Sequence, residues 1–318
     1  MPVRLFRFRL IGLIALLLGA IGLSGCDPAL VRPPTLVPVE PAPVLPPPPE
    51  TAASAAIRAY YAQVQTALLS QGLLRTDMGG PDAPFTDRNL IDNFLKIALY
   101  EEYAHGQVSA VRGVNPIRLL RWNQPIRVAL IFGASVPQDK RSTDTLRVSS
   151  FLARLASLTG HQIALNDRNP NFWIHIASID EREALGPVLA TELSELTPGQ
   201  IASVTAMDRD TYCQVLTQSN PLTSAYVGAD VVIPSEHPDL LRLSCIHEEL
   251  AQALGLPNDS NAARPSIFND DEEFALLTHQ DELMLRILYD PALRPGMTEV
   301  EARPIVETLA SRLMGGES

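Results

Sequence analysis

The stretch Cys245-Ile-His-Glu-Glu-Leu-Ala-Gln-Ala-Leu-Gly-Leu-Pro-Asn-Asp259 decides how the chain is read. Leu and Ala fall on one face and polar groups on the other, which predicts a short helix ending at Gly255. Glu248 and Gln252 stand at i and i+4, so they project from the same side, with Glu249 beside them. Asn258 and Asp259 follow a glycine able to turn the chain back. This is the layout of a helix-borne metal site with a further ligand after the turn, but it carries carboxylates and amides where imidazoles would be expected.

Upstream of this helix, strands and helices alternate. Pro125 to Phe132, His161 to Leu165, Asn171 to Ala177 and Ala225 to Ile233 read as strands, and Leu146 to Leu158 reads as a helix with Val148, Phe151, Leu152 and Leu155 inward. Residues 180–212 mix helix-like pieces with prolines and give no clear pattern. Two amphipathic helices are expected earlier, over Thr51–Leu74 and from Thr86 to about Tyr103, and two later, around Asp281–Leu288 and Thr298–Leu313.

The first residues follow a different logic. Arg4, Arg7 and Arg9 precede an apolar run from Leu10 to Leu23 that ends in Leu23-Ser24-Gly25-Cys26. A basic start, a short apolar core and small residues before a cut site predict an export signal over 1–25. The ending resembles the bacterial lipobox, which implies a lipid on Cys26 and a protein held at a membrane of the cell envelope, facing the periplasm. Asp27 resembles an inner-membrane retention signal, and the choice between inner and outer membrane stays open. Loss of the three arginines of 1–25 would take the net charge from −11 to −14. That balance argues against a nucleic-acid partner. Ten prolines in residues 27–50 predict a stiff extended tether over 26–50, at about 3.1 Å per residue. A helical lead-in (51–115) and a main domain (116–318) would follow. With Cys26 lipidated, Cys213 and Cys245 remain. An oxidising compartment favours a disulfide between them over two buried thiols.

Aligned on Gly255, the central stretch resembles the extended zinc motif of metzincin peptidases, in which three histidines bind the ion and a glutamate polarises water. Ser266-Ile-Phe-Asn269 is similar in position to their methionine turn, with Phe268 in the place of the methionine. Leu277-Thr-His-Gln-Asp281 onward to Tyr289 resembles the last helix of matrix metalloproteinases. More closely, the Glu-Glu-x-x-Gln-x-Leu-Gly-Leu and Ser-Ile-Phe-Asn-Asp segments resemble an uncharacterised proteobacterial lipoprotein domain family, a domain of unknown function. The resemblance implies an α+β, zincin-like fold: a mixed twisted sheet, a central motif helix and C-terminal helices.

It does not carry the peptidase with it, because Glu248, Gln252 and Asn258 occupy the three ligand positions and a neutral amide oxygen is a poor zinc ligand. Only Glu249 matches its counterpart, the catalytic glutamate. Starting the motif at His247 restores His-Glu but puts Ala251 at the second ligand, and none of the six histidines stand four apart. Three readings remain. Glu248, Gln252 and Asn258 form a hydrogen-bonded network without an ion, in a degenerate domain that binds a peptide or envelope partner and needs no cofactor. Alternatively, Glu248, Glu249, Gln252, Asn258 and Asp259 supply an oxygen-rich pocket for a divalent metal in an unusual hydrolase with Glu249 as general base. In the third, these residues are solvated surface. Asn269-Asp-Asp-Glu-Glu273 reads as a solvated acidic turn or helix start, and His175 as a core or face residue. Ser266 lacks the glycines of a nucleophile elbow.

Overall fold

Apolar runs too short for buried helices form the centre of the molecule. The computed structural model describes residues 48–101 and 115–315, and Pro46–Ser318 form one compact unit. The expected signal (1–25), Cys26, Asp27 and nearly all of the tether lie outside the described residues, as does the stretch at His105-Gly106. No helix among the described residues is long and apolar enough to cross a membrane.

In chain order the helices are α1 (Ala52–Ser70), α2 (Asp87–Ala98), α3 (Gln138–Thr159), α4 (Ile179–Arg182), α5 (Gly186–Glu192), α6 (Pro198–Thr205), α7 (Asp239–Gln252), α8 (His279–Leu288) and α9 (Glu299–Gly315). The strands are β1 (Tyr100–Glu101), β2 (Asn115–Pro116), β3 (Arg121–Trp122), β4 (Ile126–Phe132), β5 (Ile163–Leu165), β6 (Phe172–Ala177), β7 (Gln214–Ser219) and β8 (Ala225–Pro234). β1 and β2 make a small antiparallel pair. The main sheet runs β5-β4-β6-β8 in parallel, with β3 parallel to the start of β8 and β7 antiparallel along β8. The mixed α/β architecture with a mostly parallel sheet agrees with the expected α+β class.

The pleat divides the sheet's side chains between two cores. Phe172, Ile174 and Ile176 of β6, with Ala229, Val231 and Ile233 of β8, enter the larger core beside Val148 and Phe151 of α3, Ile246 and Leu250 of α7, and Leu283 and Met284 of α8. On the opposite face Val232 and Leu216 pack with Leu189, Leu193 and Val204 under α5 and α6. Because both faces are covered, the parallel strands read as near-continuous apolar runs.

Several expectations need adjusting. α3 begins two turns earlier than the apolar pattern suggests. Its polar first half is held by Asp144, fully buried and bonded at 2.7 Å to Arg242 of α7. Helix α2 ends at Ala98 rather than near Tyr103, because Tyr100–Glu101 pairs with Asn115–Pro116 instead. Strand β7 was not legible: Gln-Val-Leu-Thr-Gln-Ser alternates weakly and is half-buried along most of its length, as befits a strand paired on one side. The 269–273 segment is a turn, with no helix start. Cys213 and Cys245 do form a disulfide, which fastens the lead-in of β7 to α7.

Candidate functional site around Glu249

Helix α7 leaves the sheet directly after β8 and turns its apolar side, Leu241, Ile246, Leu250 and Ala251, into the core. The chain stops being helical at Gln252, three residues before the expected end. The reason for Gly255 is then plain. Its φ is +123°, and a Cβ there would stand 2.2 Å from the carbonyl oxygen of Leu120. The carbonyls freed at the helix end are met by side chains: Trp122 Nε1 donates to Ala253 O at 2.8 Å, and the Tyr289 hydroxyl donates to Leu254 O at 3.0 Å.

Past the turn, Asn258 is buried. Its backbone N–H donates to Ile97 O at 3.2 Å and its Nδ2 to Lys96 O at 2.9 Å, so it closes the last turn of α2. Gln252 reaches Asp259 instead, Nε2 to Oδ1 at 3.4 Å. Of the three positions that would hold zinc in the resembled motif, Asn258 donates to the end of α2, Gln252 contacts Asp259, and Glu248 belongs to a cluster of acids.

That cluster has Glu249 at its floor. Glu249 is 4 % exposed, and its Oε2 is buried with no hydrogen-bond partner. Burial, and then the charge of Asp259, push its pKa up to about 8, partly offset by the backbone of Val215 on β7. The half-buried Glu248 is held well above the carboxylate range by desolvation and by Asp259, Glu249, Glu272 and Asp270, in that order. Glu272 is raised to about 7 by burial and then by Asp270 and Asp271, and it also acts on Tyr212, just before β7. Glu248, Glu249 and Asp259 thus meet the 270–272 turn beside the start of β7. Sequence reasoning missed Glu272, whose acidic run reads as solvated. Its side chain is turned inward because the backbone around it pairs with the segment after α1: Leu74 N–H to Glu272 O and Arg75 N–H to Glu273 O, both at 2.8 Å. Glu273, by contrast, is matched by Arg75 and Arg264.

The other conspicuous residues of the motif serve structure. His247 stacks on Phe151 with ring centroids 3.9 Å apart, and its Nδ1 accepts from Leu277 N–H at 3.1 Å. Burial, with Arg154 nearby, lowers its pKa to about 3, so it stays neutral. Ser266-Ile-Phe-Asn269 is pinned by the fully buried Asp281 of α8. That carboxylate accepts from Ser266 Oγ at 2.6 Å, Ile267 N–H at 3.0 Å, and Thr278 N–H and Oγ1 at 2.9 and 2.8 Å. A depression of about 710 Å³ lies at the opposite end of α7, lined in part by Glu236, Asp239 and Arg242, away from Glu249.

The family description "Protein of unknown function (DUF2927)" matches residues 87–308, which include every element from α2 to most of α9. No curated protein and no solved structure matches the chain. With more than two thirds of its length inside that match, this chain belongs to the DUF2927 family.

Proposed function

We propose that this domain is a zincin-like module that has given up zinc-peptidase chemistry and binds an extended, basic peptide segment along β7, at a bacterial envelope membrane to which Cys26 anchors it. The observation that carries this reading is the juxtaposition of an open strand edge with an acidic floor. Among the described residues β7 pairs only with β8, and α7, which carries Glu249, packs against that same strand, where the backbone of Val215 offsets part of the rise in the Glu249 pKa. An added strand would find unpaired backbone groups along β7. A lysine or arginine on that strand would meet carboxylates whose charge is suppressed by burial and by mutual repulsion. Support for the zincin-like ancestry comes from the antiparallel edge strand beside the motif helix, the Gly255 turn, the buried Ser266–Phe268 segment and the Tyr289 contact that closes α7.

The test is selection of displayed random peptides on the full chain, followed by titration of the selected sequences. The reading expects extended sequences with at least one Lys or Arg, bound at least tenfold more weakly by a Glu248→Gln/Glu249→Gln double variant. Selection of acidic or purely apolar sequences, indifferent to the double variant, would count against it.

One observation favours a second reading. A carboxylate with a pKa near 8 and a free buried oxygen suits a general base working near neutral pH. In that case Glu248 and Asp259 would hold a hard cation and Glu249 would activate water. Mass spectrometry of selected peptides after long incubation separates the two: intact peptide supports the binding module, and cleavage that needs a divalent cation and is lost in Glu249→Gln supports the hydrolase.

A further inference from the structure

On the face of the sheet opposite α7, a polar triad sits in an apolar wall. His175 of β6 and Asp230 of β8 lie on the same face of adjacent parallel strands, offset by two residues in register, with Trp173 paired to Asp230 and His175 to Val232. Glu192, at the end of α5, closes over them. His175 Nε2 is 2.9 Å from Glu192 Oε2 and 3.7 Å from Asp230 Oδ1. One donor atom from each residue lies within 4.8 Å of the other two. His175 is 2 % and Asp230 0 % exposed, and Leu189, Leu193, Leu216 and Val232 surround them.

A strand centre is a costly place for a carboxylate, and both Asp230 oxygens are buried without a hydrogen-bond partner. Three donors at these spacings suit an ion. Bonds of about 2.0–2.2 Å at tetrahedral angles put ligand atoms roughly 3.3–3.6 Å apart, and 2.9 and 3.7 Å bracket that range. One imidazole nitrogen with two carboxylates is a donor set for a divalent first-row transition metal, zinc above all, rather than for calcium, which takes oxygen. Three protein ligands leave a coordination position for water or a small ligand, and the half-buried Glu192 marks the side from which it would enter.

We propose that His175, Glu192 and Asp230 form a divalent transition-metal site that clamps α5 to the sheet. It is independent of Glu249, whose helix α7 packs on the other face of the sheet. Without an ion the same three groups can coexist by sharing a proton, with Asp230 protonated and donating to Glu192, and this is the arrangement the experiment must separate.

The full chain, stripped with chelator, is titrated with ZnCl2 by calorimetry and with CoCl2 by visible absorption, alongside Asp230→Asn and Glu192→Gln variants checked for folding by circular dichroism. Asp230→Asn keeps the shape of the buried side chain, and Glu192→Gln, at the half-buried rim, serves if the first variant does not fold. The site predicts one saturable equivalent of Zn²⁺ per chain, absorption bands of low-coordinate Co²⁺, and a metal-dependent rise in melting temperature. Affinity falls at least 100-fold in either variant. Absence of saturable binding in the wild type overturns the proposal. So does binding that both variants keep unchanged, since it would place the ion elsewhere, and so does a melting temperature indifferent to metal.

Discussion

Glu249 is a buried carboxylate whose surroundings do not suit its charge. Its folded-state pKa, about 8, lies above the ordinary 4.5, so the folded protein holds this proton more tightly than the unfolded chain does. By linkage its penalty is absent below about pH 4.5 and grows as pH rises through 8. Glu249→Gln removes that penalty. In denaturant titrations at pH 9 the variant is expected to be more stable than wild type by on the order of 1–3 kcal/mol, with the difference vanishing near pH 4. A wild-type stability that stays flat between pH 4 and 9, or a variant destabilised at pH 9, would show that Glu249 is compensated in the folded state. The residue type was legible from its place in the motif; its isolation was not. That isolation comes from burial and from Asp259, and Glu272, which acts on the neighbouring Glu248, is placed by a backbone pairing with the segment after α1 that no local pattern announces.

Among the elements, the turn after α7 was read best and β7 not at all. Gly255 stands where the spacing demanded a glycine, and the structure adds the reason, a positive φ against the Leu120 carbonyl. Gly255→Ala is expected to destabilise by more than about 3 kcal/mol, through strain and overlap together. Chemical denaturation checks this, and a loss under about 1 kcal/mol would mean that the turn can move away from Leu120. Asn258 and Asp259 follow that turn as expected, yet the amide of Asn258 is used by α2, because the carbonyls of Lys96 and Ile97 at a helix end need donors. A ligand series in sequence cannot reveal such a competing partner. Strand β7 escaped detection because its order comes from β8 and from the Cys213 tie, not from its own composition. His175 reads in sequence as a core or face residue. Asp230, a lone carboxylate inside Ala-Tyr-Val-Gly-Ala-Asp-Val-Val-Ile, was the available signal for its partner.

At the scale of the molecule, the larger core was foreseeable from apolar runs and helical periodicity. The smaller core under α5 and α6 was not, since those helices are short and each has a proline in its first turn. The two cysteines join the edge strand to the motif helix across 32 residues. By loop-closure entropy, a Cys213→Ser/Cys245→Ser variant should lose about 3–4 kcal/mol. If the bond holds β7 against α7, peptide affinity should fall as well; undiminished stability and affinity would show that the sheet alone positions the edge.

The proposed peptide binding requires β7 to be the receiving edge. The direct measurement is amide hydrogen exchange of the full chain with and without a selected basic peptide at saturation. Slowed exchange at amides within Gln214–Ser219, lost in Glu248→Gln/Glu249→Gln at the same peptide concentration, is the predicted result. Protection confined to other segments, with β7 exchanging as in the free protein, would contradict the proposal.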